Sequence, residues 1–150
     1  MVDNVAWNLR VSRPGEDQAI VYVRRHQFEV GAPMDFDEQY DHITALEYVL
    51  GALGADIVNG LRSRADKRRV QIDGIEATVS GELNNALTYL DVVGEEGHPG
   101  LEKSSIKVFV SSDEPEEEVR RVWEEMLEKS PLVRTLRPVV DLDLSLRVVI

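Results

Sequence analysis

Between Thr44 and Leu61 the sequence makes two demands on the same stretch of chain. Leu46, Leu50, Leu53, Ile57 and Leu61 recur at spacings of three and four, the period of a helix with one apolar face. Thr44, with Glu47 three residues on, has the spacing of a capping box at its start. Yet Gly51, Ala52, Gly54, Ala55 and Gly60 stand among these residues, and each glycine inside a helix costs about 1 kcal/mol relative to alanine. A helix that accepts such a cost needs a compensating contact, and another backbone packed very close is the simplest one. The expectation is a central helix crossed tightly by a partner. Asp56 falls inside this window, where burial in a bilayer would cost roughly 3 kcal/mol. The window is therefore read as a buried helix of a soluble protein, not a membrane span.

The surrounding chain reads as strands with one further helix. Val5, Trp7, Leu9 and Val11 alternate with polar residues and suggest a strand from Val5 to Val11. Arg13 to Asp17 is turn material, and Ala19 to Val23 reads as the returning strand of a hairpin. A third extended piece spans His26 to Val30. Ile75 to Leu83 alternates again, Asn84 to Ser104 reads as a long irregular loop, and Ile106, Val108 and Val110 mark another strand. Val119, Val122, Trp123, Met126 and Leu127 line one face of a second helix. Asp113 is its expected cap, Pro115 sits in its first turn, and Glu116 closes a capping box. Ser130-Pro131 is its stop. Leu142, Leu144, Leu146 and Val148 end the chain as a strand with one wet face. This order gives an α+β class, and 150 residues suit one domain.

Composition removes whole classes of chemistry. The chain has no cysteine, so it has no disulfide, no thiolate ligand and no thiol nucleophile. Asp and Glu outnumber Lys and Arg 28 to 17, a net charge of −11, which disfavours nucleic acid and anionic membrane surfaces as partners. The local basic run Arg62, Arg64, Lys67, Arg68 and Arg69 is read as the solvated end of a helix, where cations suit the dipole, with an anion site as the alternative. Residues 1–10 lack the pattern of a signal peptide, which leaves the cytoplasm as the expected location. No cofactor motif is present.

Two segments in order carry a resemblance. Ala45-Leu46-Glu47-Tyr48-Val49-Leu50-Gly51-Ala52-Leu53-Gly54-Ala55-Asp56 resembles the central helix of the OsmC-like family, which includes the organic hydroperoxide resistance proteins. There a proline-plus-acid or proline-leucine-glutamate motif opens a helix that runs through small residues to a cysteine. Lys129-Ser130-Pro131-Leu132-Val133-Arg134-Thr135-Leu136 is similar to the family's cysteine-proline or serine-proline segment. The likeness extends over residues 43–148. It implies the OsmC-like fold, antiparallel sheets around a central helix, in an intertwined homodimer with its site at the subunit interface. In the peroxidase members one cysteine attacks the peroxide and a second resolves the product as a disulfide. The resemblance places Asp56 at the attacking position and Ser130 at the resolving one. The family's orienting acid falls on Leu46, with Glu47 one residue late; Arg24 and Arg25 are candidates for its arginine partner. A carboxylate does not reduce peroxides and a serine cannot form a disulfide, so the thiol mechanism is gone.

The candidate site residues are Asp56, Ser130 and Glu47. Asp56 is either a binding or acid-base group in the cleft left by the missing cysteine, or a charge paired or solvated at an interface. Ser130 needs an adjacent base to be a nucleophile and otherwise only ends a helix; Glu47 otherwise only caps one. His42 with Asp37, Glu38 and Asp41 offers metal-ligand types, although carboxylate-rich linkers are more commonly just solvated, and no metal site is assigned. Tyr89, Trp7 and Trp123 read as core or interface. Three functions are carried forward. The first is a non-peroxidatic homodimer binding a small, partly apolar ligand near Asp56. The second is an enzyme using Asp56 as acid or base, and the third is a structural or protein-interaction module.

Overall fold

A computed structural model describes residues 5–33, 35–36 and 41–150. The chain forms two compact units, one ending at Tyr48 and the other spanning Val49–Ile150.

The first unit is an antiparallel meander of β1 (Arg10–Ser12), β2 (Gln18–Val23) and β3 (His26–Gly31). The expected strand from Val5 is shortened to its last residues. The register explains why: Arg10 pairs with Tyr22, and β2 ends one residue later at Val23, where the chain turns through Arg24 and Arg25. Residues 5–8 run past the end of their partner. Val5, Trp7, Leu9 and Val11 are all exposed, Trp7 by 74%. Of the expectation that Trp7 is core or interface, the core half is thus corrected.

Gly31 closes this unit. Its N–H donates to the Ile43 carbonyl (2.8 Å), and a Cβ there would lie 2.9 Å from the His42 Cβ and 3.0 Å from its carbonyl oxygen. Only glycine lets the linker return this close. Phe28 packs on Tyr48 with ring centroids 5.1 Å apart.

The second unit holds the large core. Helix α1 (Ala45–Arg68) starts at the capping box: Thr44 N–H donates to Glu47 Oε1 (3.1 Å) and Glu47 N–H to Thr44 Oγ1 (3.3 Å). Its buried stripe of Leu53, Ile57, Leu61 and Ala65 faces a sheet of order β4-β5-β6 and the helices that follow. Strand β4 (Gly74–Leu83) pairs antiparallel with β5 (Leu101–Ser111). Strand β6 (Asp141–Val149) pairs parallel with β5, as the helical crossover between them allows. That crossover is α3 (Glu116–Lys129) and α4 (Pro131–Leu136). Ile106, Val108 and Val110 of β5 meet Val119, Val122, Trp123 and Met126 of α3 in one cluster.

Two of the α1 glycines are spent within the chain. A Cβ on Gly54 would come 2.7 Å from Val79 Cγ2, and one on Gly60 would come 3.1 Å from Met126 Cγ. Gly51 has nothing within 4 Å, and Ala52 and Ala55 beside it are exposed. The tight crossing expected of this helix therefore comes partly from its own β4 and α3.

Two other expectations are corrected. The loop expected over Asn84–Ser104 is shorter. A single helical turn, α2 (Ala86–Tyr89), is capped by Asn85, whose side chain accepts from Leu87 N–H (3.0 Å), and β5 begins at Leu101. Tyr89 is exposed there. Asp113 does not cap α3. Glu114 precedes Pro115, and the proline ring disfavours helical backbone at the residue before it. The helix accordingly begins at Glu116 with Pro115 at the N-cap and no side-chain cap. Glu116, Glu117 and Glu118 fill its first turn, where negative charge suits the dipole. Among the described residues no helix is long and apolar enough to cross a membrane.

Candidate functional site

The two positions singled out in sequence meet in space. Asp56 lies on α1 immediately before the fully buried Ile57. Ser130 is the single residue between α3 and α4, and it is 5% exposed. Its backbone is extended (φ −68°, ψ 119°), the conformation a following proline favours. In that posture it serves both helices: its N–H donates to the Met126 carbonyl (2.8 Å) and its Oγ accepts from Val133 N–H (3.1 Å). The Ser130 hydroxyl proton is donated to Asp56 Oδ2 at 2.5 Å, the short range of a hydroxyl bonded to a carboxylate. Leu132 N–H points at the same oxygen from 3.4 Å. Asp56 Oδ1 accepts no hydrogen bond from any described residue.

Beside this pair is a cleft of about 110 Å³. Asp56, Gly60, Ser63 and Arg64 line it from α1, at offsets of four, seven and eight that put them on one helix face. Met126 and Lys129 of α3 form the opposing wall, with Ser130 and Pro131 at its end. Arg64 is held at 3.3 Å by Glu125, which also pairs with Arg68 at 2.9 Å. The hydrogen bond from Arg68 lowers the Glu125 pKa below its ordinary value, and Glu125 in turn raises that of Arg68. Lys129 has no ion pair or hydrogen bond among the described residues.

The chemistry open to the pair is limited. Ser130 has its one proton committed to Asp56 and a lone pair committed to Val133. No histidine lines the cleft: His26 lies in β3, His42 in the first unit, and His98 Nδ1 accepts from Gly100 N–H (3.1 Å). Glu47 is placed at the start of α1, its carboxylate engaged by Thr44, which also lowers its pKa. It does not line the Asp56 cleft. Arg24 and Arg25 sit in the β2–β3 turn, Arg24 with a left-handed φ of 53°.

A second, larger cleft of about 240 Å³ lies in the first unit, with Glu16, Asp17, Asp35, Asp41 and His42 on its walls. Asp37 and Glu38, the other members of the sequence-level metal reading, lie outside the described residues. Among the described residues no three ligand-type side chains are grouped to hold a metal.

Sequence reasoning missed Ser63, Arg64, Met126 and Lys129 as cleft residues. Helical arithmetic from Asp56 would have found the first two, and adjacency to Ser130 the last.

The succession of β1–β3, α1, and β4–β6 with the α3–α4 crossover matches the fold of the OsmC-like proteins. An OsmC-like protein from Mycoplasma pneumoniae superimposes with a TM-score of 0.79, covering 99% of this chain and 100% of that one at 14% identity. An organic hydroperoxide resistance protein from Legionella pneumophila gives 0.66 at 13% identity, covering 95% and 98%. The organic hydroperoxide resistance protein OhrB of Bacillus subtilis gives 0.60 at 17% identity, covering 94% and 98%. At such identities the likeness is one of fold. Sequence carries the assignment further: the family model for OsmC-like proteins matches residues 37–145. This chain belongs to the OsmC-like family, as a divergent member with no cysteine. Among curated proteins none matches it in sequence.

Proposed function

We propose that this protein is a non-peroxidatic OsmC-like homodimer, cytoplasmic, that binds a small, partly apolar molecule in the Asp56 cleft at the subunit interface. One observation carries the reading: Asp56 and Ser130, at the positions the resemblance gives to the paired cysteines, are joined by a hydrogen bond in the lining of a cleft. The spatial relation is retained without sulfur. A cleft of about 110 Å³ is well below the roughly 300–1,000 Å³ of sites that enclose a whole ligand. It therefore takes one end of a molecule, and a second chain would cover the remainder. The exposed Gly51, Ala52 and Ala55 on α1 and the exposed Val5, Trp7, Leu9 and Val11 supply apolar surface for that second chain.

The test combines light scattering with a fragment screen followed by amide chemical shifts. The expected result is a dimer whose Asp56, Lys129 and Ser130 amides shift on addition of small apolar-tailed fragments. A monomer, or a dimer in which no fragment shifts these amides, ends the proposal. A peroxide-consumption assay with added thiol should read no activity above buffer.

A structural reading competes. Ser130 joins Asp56 on α1 to Val133 on α4 through one hydroxyl, so the pair acts as a cross-link between helices. Substitutions at Asp56 that lower stability without altering fragment binding favour it.

A further inference from the structure

The Asp56 cleft carries unmatched charges of both signs. Asp56 directs Oδ2 to Ser130 and Leu132, but Oδ1 is left without a donor among the described residues. Asp56 is only half-buried, so this oxygen is open to a ligand or to water. Lys129, an exposed residue of the cleft lining, makes no ion pair or side-chain hydrogen bond among the described residues, whereas the other cation, Arg64, is already held by Glu125. A lone anion would gain from Lys129 and be repelled by Asp56; a lone cation would meet the reverse. Neither uses both groups. A molecule with an ammonium and a carboxylate does, with the ammonium donating to Oδ1 and the carboxylate accepting from Lys129. Ser63, whose hydroxyl makes no hydrogen bond to a described residue, stands on the same face as a further polar contact. Pro131 and the nearly buried Met126 complete the cleft lining.

We infer that the cleft recognises a zwitterionic head group of the amino-acid class, through Asp56 for the ammonium and Lys129 for the carboxylate. This rests on the small-molecule reading of the same cleft and names the chemistry of its ligand. The size of the space agrees, since about 110 Å³ holds a head group and leaves the side chain outside.

The experiment titrates L-leucine, N-acetyl-L-leucine and L-leucinamide into the 150-residue chain and follows amide shifts at residues 56, 129 and 130. The acetyl compound lacks the ammonium and the amide lacks the carboxylate, with the side chain unchanged. The expected result is saturable binding of L-leucine, with each derivative at least about tenfold weaker, a difference of 1.4 kcal/mol per head-group contact. In Lys129→Gln, a surface change that leaves the fold intact, L-leucine and L-leucinamide should become equal while N-acetyl-L-leucine stays weak. Equal binding of all three to the native protein overturns the charge assignment but keeps the small-molecule reading. Neutral apolar fragments that shift these amides while L-leucine does not have the same effect. Absence of any shift with the whole fragment set overturns both.

Discussion

Ser130→Ala is the most informative single change, because one atom is asked to do two jobs. Its loss removes the donor to Asp56 Oδ2 and the acceptor for Val133 N–H. A hydrogen bond to a charged group contributes about 1.5–3 kcal/mol net, and loss of an N-cap costs about 0.5–2 kcal/mol. Asp56 faces a cleft and can be rehydrated, which pulls the first figure toward its lower end. Val133 N–H is buried and cannot be. The expected loss is about 2–4 kcal/mol, read as the midpoint of urea unfolding at fixed protein concentration with an unchanged slope. Asp56→Ala removes the other partner, and the double variant closes a cycle. The two single losses should exceed the double loss by about 1.5 kcal/mol or more. Additivity within about 0.5 kcal/mol, the behaviour of independent sites, would refute the cross-link. Asp56→Asn keeps the shape and an acceptor, so it should lose less than Asp56→Ala.

Gly54→Ala and Gly51→Ala should move stability in opposite directions in an isolated chain. The first drives a Cβ to 2.7 Å from the stiff Val79 side chain, an overpacking cost of about 1–3 kcal/mol; the second meets nothing and gains about 1 kcal/mol of helix propensity. If light scattering shows Gly51→Ala dissociating a dimer, that face is covered by the second chain; unchanged association together with a gain in stability places the interface elsewhere. Asp56→Cys combined with Ser130→Cys should form an intrachain disulfide on mild oxidation, seen as the loss of two hydrogens by mass spectrometry and a reductant-sensitive melting temperature. Folded protein that keeps two free thiols under oxidant counts against reading these two positions as the family's cysteine pair. Glu125→Gln tests the pairing with Arg68 and Arg64 by pH. Because the folded-state pKa of Glu125 lies below its ordinary value near 4.5, the contribution is complete above that value and is lost as pH falls through the folded one. The native protein should therefore melt above the variant at neutral pH, with the gap closing on acidification and shrinking with salt. A gap that persists at pH well below 4.5 rejects it.

The fold was legible wherever one face of an element had to be buried. The leucine repeat and the Thr44–Glu47 box set α1 to the residue at its start, and the alternation in residues 75–83 and 142–148 located β4 and β6. Boundaries failed where chain chemistry competed with pattern. Pro115 overruled Asp113 through its effect on Glu114, and β1 was cut short because β2 turns away at Val23. Helix α4 was hidden because its six residues are too short to show a period, and Ser130-Pro131 reads equally as an end and as a beginning. The contact between Asp56 and Ser130, 74 residues apart, came from family likeness alone, since no local pattern reports a tertiary hydrogen bond. The charges of the cleft wall, Arg64 and Lys129, were within reach of helical arithmetic from Asp56 and of adjacency to Ser130 once those two positions were paired.

A carboxylate and a hydroxyl facing each other across 2.5 Å have a lineage consequence as well as a mechanical one. Removal of either group alone strands the other: a cysteine at 56 would confront an alcohol, and a cysteine at 130 would press a thiol on an acid. The two codons are therefore expected to drift as a linked couple among descendants of this chain.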